Sequence, residues 1–523
     1  MLNRQLATDN RQSGVPRLAV IWMASLVALR APVWGTPLDV DSPPEGRFND
    51  DWAEIYISGA KSGFAHSTMT RDGGRIHTTT DMKLRVGRAG QTVELGIVQE
   101  TTEMLSGLPL KFSSTMDMST AKMVTRGTVE KGRVTIVTSQ FGMEQTQTFG
   151  FPEGALMTWG AFRESIKRGF KPGTEYTVSM YAPELRMDGA LSAKTTIGDW
   201  EEFTHRGKPL RGQKVTLVMQ SPIGSVEMLS WVDENGEPLK AKVPMPGIGD
   251  MDVVTTDQAT ALAAFLPPEV FMTTVVKVDR EIDRDRASRI RYRITCRTPE
   301  GRVPDLPPTA MQEAYRRPDG SVELTVTKRS PSPSADGAAK LLLEEGEYLC
   351  SNLMMNTDDA VLRELASQAA GEEKDAYALA DRLRRFVTEY VTAKTMNIGF
   401  ATANEVARTK EGDCSEHAVL LAALGRIRGL PSRVVAGLAY APFFGGQDHI
   451  FGYHMWTQFW IDGRWVDLDA ALRESACSPA RIALATSSLK DAGLADLSLP
   501  LLTTIGALNL QILEMDTGPS PSR

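Results

Sequence analysis

The chain has 523 residues, of which 42% are hydrophobic and 24% charged, with a net charge of −7 and a pI near 5.6. That profile fits an ordinary folded protein with room for roughly two to four domains, and it excludes a disordered, fibrous or strongly basic chain. Nucleic acid is not an expected partner, because basic residues cluster only in short pieces such as Arg382 to Arg385, which reads as a solvated helix face.

Arg4, Arg11 and Arg17 precede the apolar run Leu18 to Leu29, whose 12 residues fall short of the ~20 that a membrane span needs. Val33-Trp34-Gly35 follows, so residues 1–35 read as a secretory signal peptide cut near Gly35. The expected location is periplasmic or secreted, with an uncleaved anchor as the alternative and no transmembrane span beyond the signal segment. Residues 36–48 are rich in Pro and Asp and read as a linker.

Residues 49–270 read as a β-rich domain. Alternating runs begin at Trp52 and Gly63 and recur around 76–86, 91–104, 108–117, 121–129, 132–139 and 145–149, with Gly, Asp and Lys turns between them. A helix is predicted over Ala155 to Arg168, then strands at 175–181, 193–199, 213–219, 225–232 and 238–243, then a closing helix from Thr255 to Phe265. The pattern predicts a long antiparallel meander. Met116 and Met118 read as strand filling, not as a soft-metal site. Nothing else in this region carries chemistry, so a peptide, glycan or lipid of the cell envelope stays open as its ligand, as does a role in presenting the C-terminal part.

Residues 271–352 read as a small β module with strands near 275–278, 288–295 and 321–328, and a loop at Ser330 to Ser334. Four cysteines are too few for a disulfide framework. Cys296 and Cys350 either pair or remain two buried thiols, and Cys477 reads as structural. Helices are predicted at 358–370 and 374–392, the second with Leu379, Leu383, Phe386 and Val387 on one face. A short helix over 404–409 leads into Gly412-Asp413-Cys414-Ser415-Glu416-His417.

Asp413 is a good N-cap and Glu416, three residues on, completes a capping box. Val419, Leu420, Leu424 and Ile427 make an apolar stripe, and Gly429 and Pro431 end the helix. Cys414 therefore falls in the first turn, where the helix dipole and unpaired N–H groups favour a thiolate and offer donors to an oxyanion. A strand over 432–440 and a loop over 441–452 follow, with Gly445-Gly446 suggesting a mobile lid and His449 a surface position.

Residues 453–469 read as a hairpin about Asp462-Gly463, with His454, Trp456, Gln458 and Trp460 on one face. Pairing Ile461 with Arg464 sets Gln458 opposite Asp467 and makes His454 and Asp469 diagonal neighbours. A thiol needs a base, and the base needs a group to hold its tautomer. The assignment is Cys414 as nucleophile, His454 as base and Asp469, in preference to Asp467, as its partner. Trp456 is a candidate wall of the substrate pocket, and Trp460 a core residue. His417 packs behind the thiol. No Cys-x-x-Cys or His-x-x-x-His supports zinc, and no cofactor is expected.

These stretches resemble the transglutaminase-like superfamily, a papain-like cysteine fold. The matching residues are Gly412-Asp413-Cys414, Gly429-Leu430-Pro431-Ser432-Arg433-Val434-Val435, His454-Met455-Trp456, and Trp465 to Asp469. The resemblance spans roughly residues 355–475 and departs at Met455, where the family often has Ala. It implies an α+β transglutaminase-like domain over 353–515, so that with the strand pattern read above the chain is multidomain, an antiparallel all-β N-terminal region preceding this domain and a disordered tail at 516–523 following it. It also implies an aromatic or amide oxyanion donor upstream of the cysteine, for which Tyr390 is the candidate. The implied activity is attack on a peptide or side-chain amide through a Cys thioester, resolved by water in a peptidase or amide hydrolase. Alternatives are protein-glutamine γ-glutamyltransferase cross-linking and a non-catalytic envelope binding or assembly module.

Overall fold

The computed structural model describes residues 38–88, 91–118, 121–140, 143–184, 186–221, 224–245, 249–297, 302–329, 346–394, 400–490, 497, 501 and 504–518. The leader and cleavage site expected within 1–35, the loop at 330–334 and residues 519–523 lie outside these.

The N-terminal region is a single antiparallel sheet of 14 strands. The strands from Gly46–Ile57 to Met143–Gly150 form one meander, and those from Glu175–Met180 to Gly249–Thr256 form a second. The first strand of the first meander pairs with the last strand of the second, from Trp52↔Thr256 to Ile57↔Met251. The sequence reading missed that last strand and placed a helix from Thr255; the helix spans only Gln258–Leu262. The strand's signal is the alternation of Asp250 and Asp252 with buried Met251 and Val253. So long a twisted sheet must curl. Ile97 and Met116 from one meander accordingly share a core with Met180 and Leu191 from the other.

The helix Thr158–Arg168 starts three residues later than expected. Its N-cap residue, Met157, makes no side-chain cap bond, and buried Glu103 from a neighbouring strand accepts from the Trp159 and Gly160 amides at 2.7 and 2.9 Å instead. Burial still pushes the Glu103 carboxyl up to about 7, because the amides only partly replace its lost hydration.

Two sheets make up the rest. One orders Gln312–Arg316, Val322–Thr327, Ala287–Cys296 and Leu508–Thr517. Its last strand comes from the chain end and pairs along the length of Ala287–Cys296. The module expected over 271–352 is thus completed by residues that the sequence reading gave to the 353–515 domain and to the tail. Leu508, Leu510 and Ile512 alternate inward on this strand, a pattern hidden behind the stronger apolar run of 499–508. Cys296 and Cys350 form no disulfide.

The other sheet orders Val276–Lys277, Gln447–Ile461, Ser432–Phe444 and Arg481–Ser487, with Arg464–Leu468 also pairing Gln447–Ile461. One face of it meets two cores in turn along the length of the strands. Val434, Ala436, Met455 and Phe459 pack on the helices. Leu438, Tyr440, Phe451 and Ile482 share a core with Ile290, Tyr292 and Leu324 of the β module. The lid expected over 441–452 is not a loop. Residues 441–444 and 447–450 continue the ladder, with Phe443 opposite Asp448, and Gly445 and Gly446 at φ 57° and 81° form the tight turn between them. His449 lies within that ladder region and hydrogen-bonds Tyr440 at 3.0 Å.

Candidate active site

The cysteine helix spans Cys414–Ile427. Asp413 caps it, accepting from the Ser415 amide at 2.9 Å, and Glu416 Oε2 accepts from the Asp413 amide at 2.9 Å. Gly412 is required here: its φ is +153°, and a Cβ would lie 2.2 Å from Glu416 Cβ. The capping box occupies the amides that the sequence reading left open for an oxyanion at Ser415 and Glu416, while the His417 amide bonds the Asp413 carbonyl at 3.2 Å. The helix dipole remains and favours a thiolate at Cys414.

The helix presses closely on the strand Gln447–Ile461. Thr457 Oγ1 donates to the Ala418 carbonyl at 2.9 Å, and a Cβ on Gly425 would sit 2.0 Å from the Phe459 ring. Both contacts advance together along helix and strand, so the two run in the same sense. Stepping back one turn from Ala418 reaches Cys414, and stepping back three residues from Thr457 reaches His454. Cys414 and His454 thus lie toward the same end of this packing, with His454 on the strand face opposite to that of Thr457.

The hairpin has the expected register, Ile461↔Arg464 and Gln458↔Asp467. His454 Nε2 is 2.7 Å from Asp469 Oδ2. A carboxylate there accepts, which assigns the proton to Nε2 and leaves Nδ1 with a lone pair. Asp469 is 1% exposed, and its Oδ1 accepts from the Leu472 amide at 2.9 Å. Burial pushes its carboxyl up, but His454 and then Arg481 more than offset this and hold it well below the usual carboxylate range. Arg481 Nη1 reaches the same Oδ2 at 3.3 Å, its Nη2 binds Glu474, and Glu474 also binds Arg284 of the β module. Backbone bonds between Asp469 and Glu474, at 2.8 and 2.9 Å, close the intervening turn.

Asp467 serves the neighbouring side chains. Its Oδ1 accepts from Trp456 Nε1 at 2.6 Å and Gln458 Nε2 at 2.8 Å, and Gln458 in turn accepts from Arg433 at 2.7 Å. Trp456, expected to wall the pocket, is 2% exposed and packs with Val435 and Ala483. It lies beside His454 at a ring separation of 6.2 Å and beneath the Arg481 guanidinium at 4.9 Å. Trp456 therefore packs beside His454 and does not line an open pocket. The Tyr390 hydroxyl donates to the Ala407 carbonyl at 2.6 Å, so in this arrangement its one proton is engaged and is not offered to an oxyanion. Trp460 packs edge-on against Trp465.

His417 is 2% exposed, and its Nδ1 donates to the Asp413 carbonyl at 2.6 Å. Burial lowers its proton affinity, leaving a neutral ring one turn behind the thiol. Glu416 is fully buried; burial, then the charge of Asp413, pushes its carboxyl up to about 8. Its oxygens still accept from the Ala401 and Asp413 amides. At neutral pH it is therefore protonated and does not add an anion beside the cysteine.

Sequence reasoning missed Arg481 and Glu474. The available signal was an arginine heading the apolar run Ile482-Ala483-Leu484-Ala485, where only a paired cation is tolerated. Among the described residues no His, Cys, Asp or Glu cluster is fit to hold a metal ion, and no helix is long and apolar enough to cross a membrane.

No curated protein matches the sequence. Solved structures are similar at low identity, three of them as follows. A β-barrel-like protein of a domain of unknown function from Brucella abortus matches at 14% identity and a TM-score of 0.31, over 40% of this chain and 96% of its own. A candidate cysteine protease from Cytophaga hutchinsonii matches at 16% and 0.26, over 44% and 87%. A candidate protease from Parabacteroides distasonis matches at 14% and 0.17, over 67% and 64%. Residues 363–470 match the family model of the transglutaminase-like superfamily, a span that runs from the helix before Tyr390 through Cys414 and His454 to Asp469. The C-terminal part of this chain carries a transglutaminase-like core domain.

Proposed function

We propose that the protein is an exported cysteine enzyme that hydrolyses peptide or side-chain amides through a thioester on Cys414. The observation that carries this reading is the 2.7 Å bond between His454 and Asp469 on the strand against which the cysteine helix packs. With Nε2 holding its proton on Asp469, His454 Nδ1 takes the thiol proton, and the thiolate attacks the amide carbonyl carbon. The tetrahedral oxyanion collapses, the C–N bond breaks, and the leaving amine takes the proton from the imidazolium. Water then gives its proton to His454, attacks the thioester and releases the acid and the Cys414 thiol. Neutral Glu416 and the dipole of the cysteine helix both favour the thiolate. Export is inferred from the leader pattern of residues 1–35.

The test is the pH profile of iodoacetamide alkylation of the mature protein, beside His454→Ala and Cys414→Ala. Alkylation well below the pH at which an ordinary cysteine reacts, lost in both variants, supports the reading. An ordinary thiol profile unchanged by His454→Ala refutes it. A labelled amine added during turnover of a glutamine peptide separates hydrolysis from cross-linking: acid release without amine incorporation is expected.

A further inference from the structure

The Asp469 carboxylate is shared. Its Oδ2 lies 2.7 Å from His454 Nε2 and 3.3 Å from Arg481 Nη1, which places base and guanidinium within about 6 Å of each other through one oxygen. Arg481 is 4% exposed, an unusual place for a cation, and it is held by two carboxylates, Asp469 and Glu474. Glu474 is fixed by the backbone pair with Asp469, by the Ser478 amide at 3.1 Å, and by Arg284, which reaches in from the loop before the module strand Ala287–Cys296. Charges alternate along this chain from the β module to the base: Arg284, Glu474, Arg481, Asp469, His454.

We propose that Arg481 is a positioning residue for the reaction, and that the chain from Arg284 through Glu474 and Arg481 to Asp469 sets the charge that His454 experiences. The inference rests on the proposed role of His454 as base. Arg481 does two things at once. It holds the Asp469 oxygen where His454 meets it, stacked on the same Trp456 ring that lies beside His454. It also neutralises part of the carboxylate, so that the imidazolium is less favoured than it would be beside a bare aspartate. An imidazolium bound too tightly would be slow to give its proton to the leaving amine. The other titratable groups on the packed elements are Cys414, Asp413, Glu416 and His417 on the cysteine helix and Asp467 on the paired strand Arg464–Leu468. Lys394, on the segment paired with Gly412, acts on His417.

The experiment is an NMR titration of ring-labelled histidine in the full chain. The six histidines are a tractable set, and His454→Gln identifies the resonance. Cys414→Ala serves as the background, so that thiol ionisation does not contribute. Two unit charges about 6 Å apart at an effective dielectric of about 20 shift a titration by roughly one to two pH units. Arg481→Met keeps the apolar contact with Trp456 and should raise the His454 midpoint by that amount. Arg481→Lys should return it toward wild type. Glu474→Gln, which keeps an acceptor for Ser478 and removes one negative charge, should lower it. Opposite shifts from opposite charges are a signature that a purely structural role would not produce. Coincident midpoints in wild type, Arg481→Met and Glu474→Gln would overturn the proposal. If Arg481→Met does not fold, the sign of the Glu474→Gln shift decides it. An inert Cys414 in the alkylation assay would defeat the hydrolase reading but leave these midpoints measurable, so the two failures are distinguishable.

Discussion

Glu416→Gln tests how the base of the cysteine helix handles charge. The carboxyl is fully buried and pushed up to about 8, against an ordinary 4.5, by burial and by Asp413. A group whose folded-state value is raised contributes stability that is complete below the unfolded value and is lost as pH rises through the folded one. The window here runs from about 4.5 to about 8, and a raise of 8 − 4.5 = 3.5 units corresponds to a ceiling of roughly 5 kcal/mol across it. Wild type should therefore lose on the order of 3–5 kcal/mol between pH 5 and pH 8.5 from this site. Glutamine does not titrate. It can accept on one oxygen only, so Glu416→Gln adds a pH-independent cost of about 1–3 kcal/mol from the unmatched Ala401 or Asp413 amide. Urea unfolding at half-unit pH steps gives both stabilities. Glu103, pushed up to about 7, titrates in the same window but cancels in the difference. The difference, wild type minus variant, should fall as pH rises. A constant difference would show that Glu416 is ionised throughout, and the neutral-neighbour argument for the thiolate would fail with it.

Gly425→Ala places a Cβ 2.0 Å from the Phe459 ring, where helix and strand are closest. It should cost about 1–3 kcal/mol in urea unfolding; an unchanged midpoint would mean that the helix can slide on the sheet. Tyr390→Phe should lose about 1 kcal/mol with its bond to Ala407 and leave the Cys414 alkylation rate and any amidase turnover within about twofold of wild type. A large loss in turnover with unchanged stability would restore Tyr390 as an oxyanion donor.

The parts legible in the sequence are those set by short-range signals. Asp413 and Glu416 announce the helix start, and Asp462-Gly463 fixes a two-residue turn from which the register and the His454–Asp469 bond follow by counting. The misses involve partners distant in sequence. Trp456 sits on the expected face, but that face is covered by Ala483 and Arg481 from the strand Arg481–Ser487, which the sequence reading did not identify. Tyr390 is drawn to Ala407 by the packing of two helices, which no periodicity encodes. The Gly445-Gly446 turn was present as a turn signal, yet Gly-rich composition was taken for a loop. The pairing of Gly46–Ile57 with Gly249–Thr256 closes some 200 residues of chain, and no local pattern specifies it.

The small β module bears on the site more directly than its position in the sequence suggests. It shares one hydrophobic core with the sheet that carries His454, through Tyr292, Leu324, Leu438 and Phe451. It is tied to that sheet by Val276↔Phe451, by Tyr292 donating to the Pro479 carbonyl at 3.0 Å, and by Gln312, whose amide both donates to and accepts from the Ala483 backbone at 3.0 and 2.8 Å. Its own sheet is completed by Leu508–Thr517, which lies after Cys414, His454 and Asp469 in the chain. Neither part can therefore unfold without exposing the other's apolar face and breaking these bonds. The family match over 363–470 omits Arg481, Glu474, Arg284 and the whole module. What holds Asp469 against His454 is thus built from residues on both sides of the matched span, and the unit that must fold to hold this pair reaches from Val276 to the C-terminal strand.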